Sequence, residues 1–101
     1  MSIILFENED FILINDIKPD ATIHLLAIPK KHFTDMFDAN VNDLETIKMM
    51  LFFIKENASH LGLSNGYRIV INNGQNATQT IKHFHIHILG GQQLKHMEKN
   101  Y

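Results

Sequence analysis

Histidines stand at every second position of the stretch His83 to Ile88, and apolar residues fill the positions between them. Successive side chains of a β-strand point to opposite faces, so a strand here carries His83, His85 and His87 on one face and only apolar side chains on the other. Neighbouring rings are then ~6 to 7 Å apart, from a rise of ~3.3 Å per residue. We predict a reactive surface on rigid backbone, because packing alone explains this alternation poorly.

Two kinds of chemistry fit this surface. Two neutral imidazoles of a His-x-His pair can hold one zinc ion if a further ligand is available. Alternatively, one neutral ring nitrogen attacks phosphorus while the other nitrogen of that ring donates a hydrogen bond that fixes the tautomer. The spacing of the histidines does not separate the two. Candidate further ligands for zinc are His24, His32, Asp16 and Glu45.

The same stretch resembles the His-φ-His-φ-His-φ-φ signature of the histidine triad (HIT) superfamily. The Gly90-Gly91 that follows is similar to the Hint branch, the histidine triad nucleotide-binding proteins. Further segments resemble Hint-type segments in matching order, so the likeness extends over most of the chain. These segments are Asp16 to Pro19, His24 to His32, Leu61 to Leu63, Gly66 to Arg68 and Asn72 to Gly74.

The resemblance implies a hydrolase that acts at the α-phosphorus of a nucleotide conjugate, most simply a purine nucleoside phosphoramidate. His85 would attack phosphorus and form a nucleotidyl-histidine intermediate, with its other ring nitrogen oriented by a backbone carbonyl. His83 would hold the site with His32 beside it, and His87 would contact the phosphate. The transferase relatives carry Gln at the third position of the motif, so His87 favours hydrolysis over transfer.

Other positions match nucleotide contacts of the family. Asp16 and Ile17 fall where the family binds the nucleotide, Asp16 at the ribose, although an aspartate there is also an ordinary turn former. Asn72, Gln79 and Thr80 match positions that bind phosphate oxygens, and Thr80 keeps the hydroxyl of the usual serine in the catalytic set.

The loop that contains Asn72 and Thr80 is rich in amides and hydroxyls and has no charged residue. Neutral donors and backbone N–H groups can surround a phosphate without a competing charge. The same residue types are ordinary turn formers. Thr78 stands where the family commonly has glycine, which affects how closely the backbone approaches the phosphate.

This interpretation requires no metal and no cofactor. Two other functions stay open. One is a nucleotide-binding protein that regulates a partner and turns substrate over only incidentally, and the other is a dinucleoside polyphosphate hydrolase. Steady-state product release from a phosphoramidate would separate an enzyme from a regulatory binding protein.

Length and composition indicate one domain of an ordinary globular type, and the resemblance implies that it is a HIT domain over residues 1–101. The chain is 45% hydrophobic with a formal net charge of −2, and its basic residues are scattered, so we expect no nucleic-acid and no membrane partner. There is no cysteine, which fits a reducing compartment. Acidic residues follow Phe6 at once, unlike a signal peptide, and we expect a cytoplasmic protein.

The patterns predict an α+β fold, a five-stranded mainly antiparallel sheet with one long helix. Residues 42–45 resemble a capping box, and Gly62 would end the helix. His24 is expected to be structural, at the start of a strand. The helix has more apolar surface, including Phe52 and Phe53, than one sheet face needs, which predicts a homodimer. The expected strands are 3–6, 11–14, 22–29, 67–71 and the histidine stretch, and the expected helix stripe is Leu44, Ile47, Leu51, Ile54, Ala58 and Leu61.

Hint-like proteins usually have an extra segment before the strand that resembles Ile3 to Phe6, and it helps to wall the base pocket. This chain starts almost at that strand, so we expect weak base recognition, unless the partner subunit or the tail with Tyr101 fills the gap.

Overall fold

The computed structural model describes residues 3–97, which form one five-stranded antiparallel sheet and one long helix, as the α+β prediction requires. Tyr101 lies outside the described residues. The sheet order is β1-β2-β3-β5-β4. The elements are β1 (Ile4–Glu7), β2 (Phe11–Asn15), β3 (Ile23–Pro29), α1 (Val41–Asn57), β4 (Tyr67–Val70), a 3-10 turn (Gln75–Ala77) and β5 (Ile86–Gly90).

The neighbouring inner strands β3 and β5 place the motif away from the edges of the sheet. They are antiparallel, with Leu26 opposite His87 and Ala27 opposite Ile86. Strand β4 is antiparallel to β5 on its other side, with Val70 opposite His87. One sheet face is covered by α1 and the core, and the other carries the histidines. The core includes Phe11, Leu13, Leu25, Ala27, Ile47, Met50, Ile54, Ile86 and Ile88.

The helix begins two residues before the predicted start. Its N-cap is Asn40, whose side-chain oxygen accepts the N–H of Asp43 at 2.9 Å, while the Asp43 carboxylate accepts the N–H of Asn40 at 2.9 Å. The predicted cap at residues 42–45 is therefore wrong. Lys31 donates to the Asp43 carboxylate at 2.7 Å, and this contact from outside the helix fixes Asp43 as the residue that completes the capping box. The helix ends at Asn57, short of the predicted Gly62.

The buried face of α1 is rotated from the predicted stripe. Its buried residues are Asp43, Ile47, Met50 and Ile54, which recur at spacings of four, three and four. Leu44 and Leu51, assigned to the stripe, are 43% and 37% exposed. They face outward because Asp43 takes the inward position at the first turn.

The two phenylalanines of α1 have different surroundings. Phe53 packs on Phe6, with ring centroids 4.1 Å apart, and contacts Phe11 at 5.8 Å. Phe52 is 52% exposed. With Val41, Leu44 and Leu51 it forms an exposed apolar surface on the helix, which we call the outer helix surface. Within residues 3–97 no helix has the length and apolar character needed to cross a membrane.

Asn40→Ala tests the helix start. It removes the side chain that accepts the Asp43 N–H, so we expect a loss of about 1 kcal/mol, or a Tm lower by roughly 4 to 8 °C for a domain of this size. Asn42→Ala is the matched control, because Asn42 is exposed. Thermal unfolding that shows the larger loss in Asn42→Ala would restore the sequence-predicted cap.

Candidate active site

The histidine stretch keeps its predicted alternation, but only its last histidine lies in a strand. Phe84, Ile86 and Ile88 are at most 1% exposed, and the histidines between them are half-buried on the other face. Because β5 begins at Ile86, His83 and His85 lie in the extended segment before it. The Phe84 N–H donates to the carbonyl oxygen of Phe33 at 2.8 Å and anchors this segment.

His85 and His87 are closer together than the spacing of an ideal strand predicts, with ring centroids 4.9 Å apart and planes at 70°. His85 Nδ1 lies 2.8 Å from the carbonyl oxygen of His83. A carbonyl only accepts hydrogen bonds, so the proton of the neutral His85 ring is on Nδ1. The lone pair is therefore on Nε2, the nitrogen available for attack.

His87 has the opposite tautomer, which follows from a chain of two hydrogen bonds. The backbone N–H of Asp20 can only donate, and it meets His24 Nδ1 at 3.0 Å. The His24 proton is then on Nε2, which donates to His87 Nδ1 at 2.9 Å. His87 consequently carries its proton on Nε2. The sequence predicted a structural role for His24, or a ligand if the site held zinc; the residue is 5% exposed and directly contacts a motif histidine.

His83 and His32 form a second pair beside the reactive rings. Their ring centroids are 5.0 Å apart and the ring planes are perpendicular. His32 therefore lies beside His83, as predicted. His83 Nε2 donates to the carbonyl oxygen of Pro29 at 2.8 Å, and His32 Nε2 donates to that of Lys82 at 2.9 Å. Both rings thereby fix the backbone that leads into His85.

Asp16 has two contacts. Its Oδ1 accepts the N–H of Lys18 at 2.8 Å, so the turn-forming role is present. Its Oδ2 lies 3.5 Å from His24 Nε2, which also brings it to the histidine cluster. Ile17 is 71% exposed beside it and is free to cover a ligand.

In the loop before the motif, Gln79 contacts backbone groups, whereas the sequence predicted a contact with a phosphate oxygen. This side chain is 7% exposed, and its Oε1 accepts the N–H of Gly74 at 2.9 Å. Its Nε2 donates to the carbonyl oxygens of Thr34 at 2.7 Å and Ile81 at 3.1 Å. The amide therefore holds the loop together, and backbone carbonyls already occupy both of its N–H donors.

The other loop residues remain open to a ligand. Thr80 is exposed, and Asn72 is half-buried beside His87. Thr78, in the place of the family's glycine, has a φ of 59°, a left-handed conformation that is uncommon for threonine. The loop thus keeps the backbone shape that a glycine would allow, at a cost in local strain.

The model of the HIT domain matches residues 1–94. The chain belongs to the HIT family. It is 45% identical over 87 residues to an uncharacterized HIT-like protein of Chlamydia muridarum, a match that covers 86% of this chain and 69% of that relative. The Hint branch stays a prediction.

Solved structures agree with this assignment. A HIT family hydrolase from Legionella pneumophila has a TM-score of 0.87 and 38% identity, over 94% of this chain and 86% of its own. A histidine triad protein from Clostridium difficile has a TM-score of 0.90 and 30% identity, over 96% and 85%. A hypothetical histidine triad nucleotide-binding protein from Sulfolobus tokodaii has a TM-score of 0.80 and 28% identity, over 94% and 64%.

Two openings flank the reactive histidines of this HIT protein, and they differ in chemistry. The apolar groove, of about 210 Å³, lies beside His85. The second opening, which we call the His87 cavity, has a volume of about 170 Å³ and a mixed polar and apolar lining. The groove is lined by Leu26, Ile28, Ile81, His83 and His85. The cavity is lined by Asp20, His24, Val70, Asn72, His87 and Leu89.

Burial, and after it the neighbouring His85 and His24, hold the pKa of His87 below its ordinary value of 6.5. Asp16 and Asp20 act in the opposite direction with smaller effects. His87 is therefore neutral at pH 7, and its Nε2 proton is a hydrogen-bond donor without a positive charge on the ring.

This lowered pKa predicts a pH dependence of stability. The unfolded chain takes up a proton at His87 as pH falls through 6.5, whereas the folded chain does so only at lower pH. The free energy of unfolding therefore decreases as pH falls from 6.5 to the pKa of His87 in the folded protein. In urea unfolding, the free energy of unfolding should decrease less between pH 7.5 and pH 5.5 for His87→Asn than for the wild type. An unchanged loss would mean that His87 titrates normally in the folded protein.

Proposed function

We propose that this HIT protein hydrolyses nucleotide conjugates at the α-phosphorus, with purine nucleoside phosphoramidates as its substrate class. The observation that carries the proposal is the pair of opposite tautomers: a lone pair on His85 Nε2 beside a proton on His87 Nε2, with ring centroids 4.9 Å apart. A nucleophile next to a neutral donor suits attack on an anionic phosphoryl group. The similarity to a HIT family hydrolase and to a nucleotide-binding protein supports the same class.

In the proposed first step, His85 Nε2 forms a bond to phosphorus, and the P–N bond to the leaving amine breaks. The amine nitrogen keeps the electron pair and takes a proton from water. His87 Nε2 donates a hydrogen bond to a phosphoryl oxygen, and the carbonyl of His83 stabilises the charge that develops on the His85 ring.

In the second step, water attacks phosphorus and the P–N bond to His85 breaks, which returns the electron pair to Nε2. Over both steps one water molecule is consumed, with its hydroxyl on phosphorus and its hydrogen on the amine. Each group that these steps require of the protein is a side chain or a backbone carbonyl.

The remaining contacts are proposed from their positions. Asp16 binds the ribose and Ile17 covers the nucleotide. Asn72 and Thr80 donate to phosphate oxygens from the loop. Gln79 acts indirectly, by holding that loop through its contacts to Gly74 and Ile81.

We further propose that the protein is a homodimer in which the outer helix surface meets its copy. Phe52 is 52% exposed on this surface, and Tyr67 and Ile69 of the edge strand β4 are 37% and 39% exposed. Exposed apolar side chains that cluster on one surface are typical of an interface.

His85→Ala should lower kcat for an adenosine phosphoramidate by at least ~10³-fold, because it removes the covalent catalyst. His60→Ala is the matched control, since His60 is exposed after α1 and away from the motif. If His85→Ala keeps more than about a tenth of the wild-type kcat, His85 is not the covalent nucleophile. Steady-state release by the wild type separates an enzyme from a regulatory nucleotide-binding protein.

Activity should persist after exhaustive dialysis against EDTA, because the proposed steps use only groups of the chain and water. A zinc hydrolase would lose its activated water in the same treatment. Zinc that is bound stoichiometrically and tracks activity through removal and readdition would overturn the metal-independent mechanism.

Phe52→Glu should weaken dimerisation by at least ~10-fold in sedimentation, since it would bury an unpaired carboxylate in an apolar contact. Ser59→Glu adds the same charge at an exposed polar position and should leave the association unchanged. A wild type that sediments as a monomer at micromolar concentration would contradict the dimer.

A further inference from the structure

The turn between β2 and β3 carries two groups that the proposed function uses. Asp16 is the residue proposed to bind the ribose. The N–H of Asp20 donates to His24 Nδ1 at 3.0 Å and so sets the tautomers of the reactive rings. Residues 17–20 are all exposed, so packing does little to hold this turn. Its position therefore depends on hydrogen bonds.

The hydrogen bonds at the start and middle of the turn are local. The N–H of Asp16 donates to the carbonyl oxygen of His24 at 2.9 Å, and the N–H of Asp20 donates to the ring of the same histidine. The N–H of Lys18 donates to the Asp16 carboxylate at 2.8 Å, within the turn. These contacts tie the turn to itself and to one residue of the strand that follows it.

Gln92 ties the end of the turn to a distant segment. Its Oε1 accepts the backbone N–H of Thr22 at 2.6 Å and the Thr22 hydroxyl at 2.9 Å, across 70 positions of sequence. A backbone N–H can only donate, so the Gln92 atom that faces it is the amide oxygen. Within residues 3–97 these are the hydrogen bonds that connect residues 16–22 to a segment other than the turn itself and β3.

Gly91 brings Gln92 to this position. Its φ of 74° is a left-handed conformation that redirects the chain directly after β5. A Cβ atom at position 91 would lie 2.8 Å from Ile23 Cγ1, so the backbone passes β3 too closely for a side chain. Because Ile23 follows Thr22, the same close approach brings residue 92 within hydrogen-bond reach of Thr22.

We propose that Gln92 is a positioning residue for recognition of the ribose. By holding Thr22, it fixes the turn in the arrangement in which Asp16 reaches the ribose hydroxyls and Asp20 reaches His24. This inference rests on the proposed function and extends it to a residue that lines neither the apolar groove nor the His87 cavity. When the turn is released, the apparent affinity for the ribose falls with the fraction of molecules that keep the binding arrangement.

The test compares two substrates with the same leaving amine, an adenosine phosphoramidate and its 2′,3′-dideoxyadenosine counterpart. The second lacks the hydroxyls that Asp16 would bind. The measurement is kcat/KM for each substrate, expressed as the ratio of the first to the second. An effect on folding or on the reactive histidines acts on both substrates and cancels in this ratio, whereas an effect on ribose recognition does not.

Gln92→Leu removes the acceptor at an exposed position, and Gln92→Glu keeps an acceptor oxygen. Gln93→Leu is the matched control, because the Gln93 amide donates only to the adjacent carbonyl of Leu94, at 3.4 Å. Gln93→Glu controls for the added negative charge.

We expect Gln92→Leu to lower the ratio by roughly 3- to 10-fold, the range for loss of one or two neutral hydrogen bonds. Gln92→Glu and both Gln93 variants should keep the wild-type ratio. An unchanged ratio in Gln92→Leu would overturn the inference. So would an equal decrease in Gln93→Leu, or a Gln92→Glu variant as impaired as Gln92→Leu, because the Gln92 acceptor would then not be the cause.

Thr22→Val tests the other side of the contact. It removes the hydroxyl donor and keeps the backbone N–H, so it should lower the ratio by a smaller factor than Gln92→Leu does. In the Gln92→Leu background it should have no further effect, because its partner is already absent. Losses that simply multiply in the double variant would contradict a role of Thr22 through Gln92.

Amide hydrogen exchange measured by NMR needs no turnover. Exchange at Asp20 should be roughly 3- to 10-fold faster in Gln92→Leu than in the wild type, while exchange at Phe84 should be unchanged. Equal rates at Asp20 would overturn the inference. If the wild type turns over neither conjugate, the proposed function itself has failed, and exchange at Asp20 still decides whether Gln92 holds the turn.

Discussion

The active site depends on two backbone groups that fix where the imidazole protons lie. The carbonyl of His83 can only accept, so it keeps the His85 proton on Nδ1. The N–H of Asp20 can only donate, and through His24 it keeps the His87 proton on Nε2. Neighbouring histidines that could each adopt either tautomer are thereby held in complementary states. In the proposed mechanism this pair is preorganised, because one ring supplies the nucleophile and its neighbour a hydrogen-bond donor before substrate arrives.

The fold holds these groups in register through the core. Phe84, Ile86 and Ile88 are almost fully buried, so the histidines between them cannot turn over without exposing apolar side chains. Pairing of β3 with β5 brings His24 to His87 across 63 positions of sequence. The site thus lies on the inner strands β3 and β5 and on the extended segment that leads into β5.

The sequence predicted the elements that follow from local pattern, and the resemblance supplied the family that the comparisons confirm. Alternation placed the histidine face, and short apolar runs between turn residues placed the other strands. Other features depend on long-range contacts that local pattern does not contain. Asn40 and Asn42 are equally good caps by type, and the distant Lys31 decides between them through Asp43. The inward direction of Gln79 and the contact of His24 with His87 arise in the same way, from chain segments that meet only after folding.

The central claim is the complementary protonation of the two reactive rings. Long-range ¹H–¹⁵N correlation NMR of the ¹⁵N-labelled protein at pH 7.5 reports the protonated nitrogen of each neutral histidine. The structure predicts a proton on Nδ1 of His85 and on Nε2 of His87, with Nε2 of His24 protonated as well. His85 protonated on Nε2, or His87 protonated on Nδ1, would contradict the account, because the lone pair or the donor would then face the protein and not the substrate.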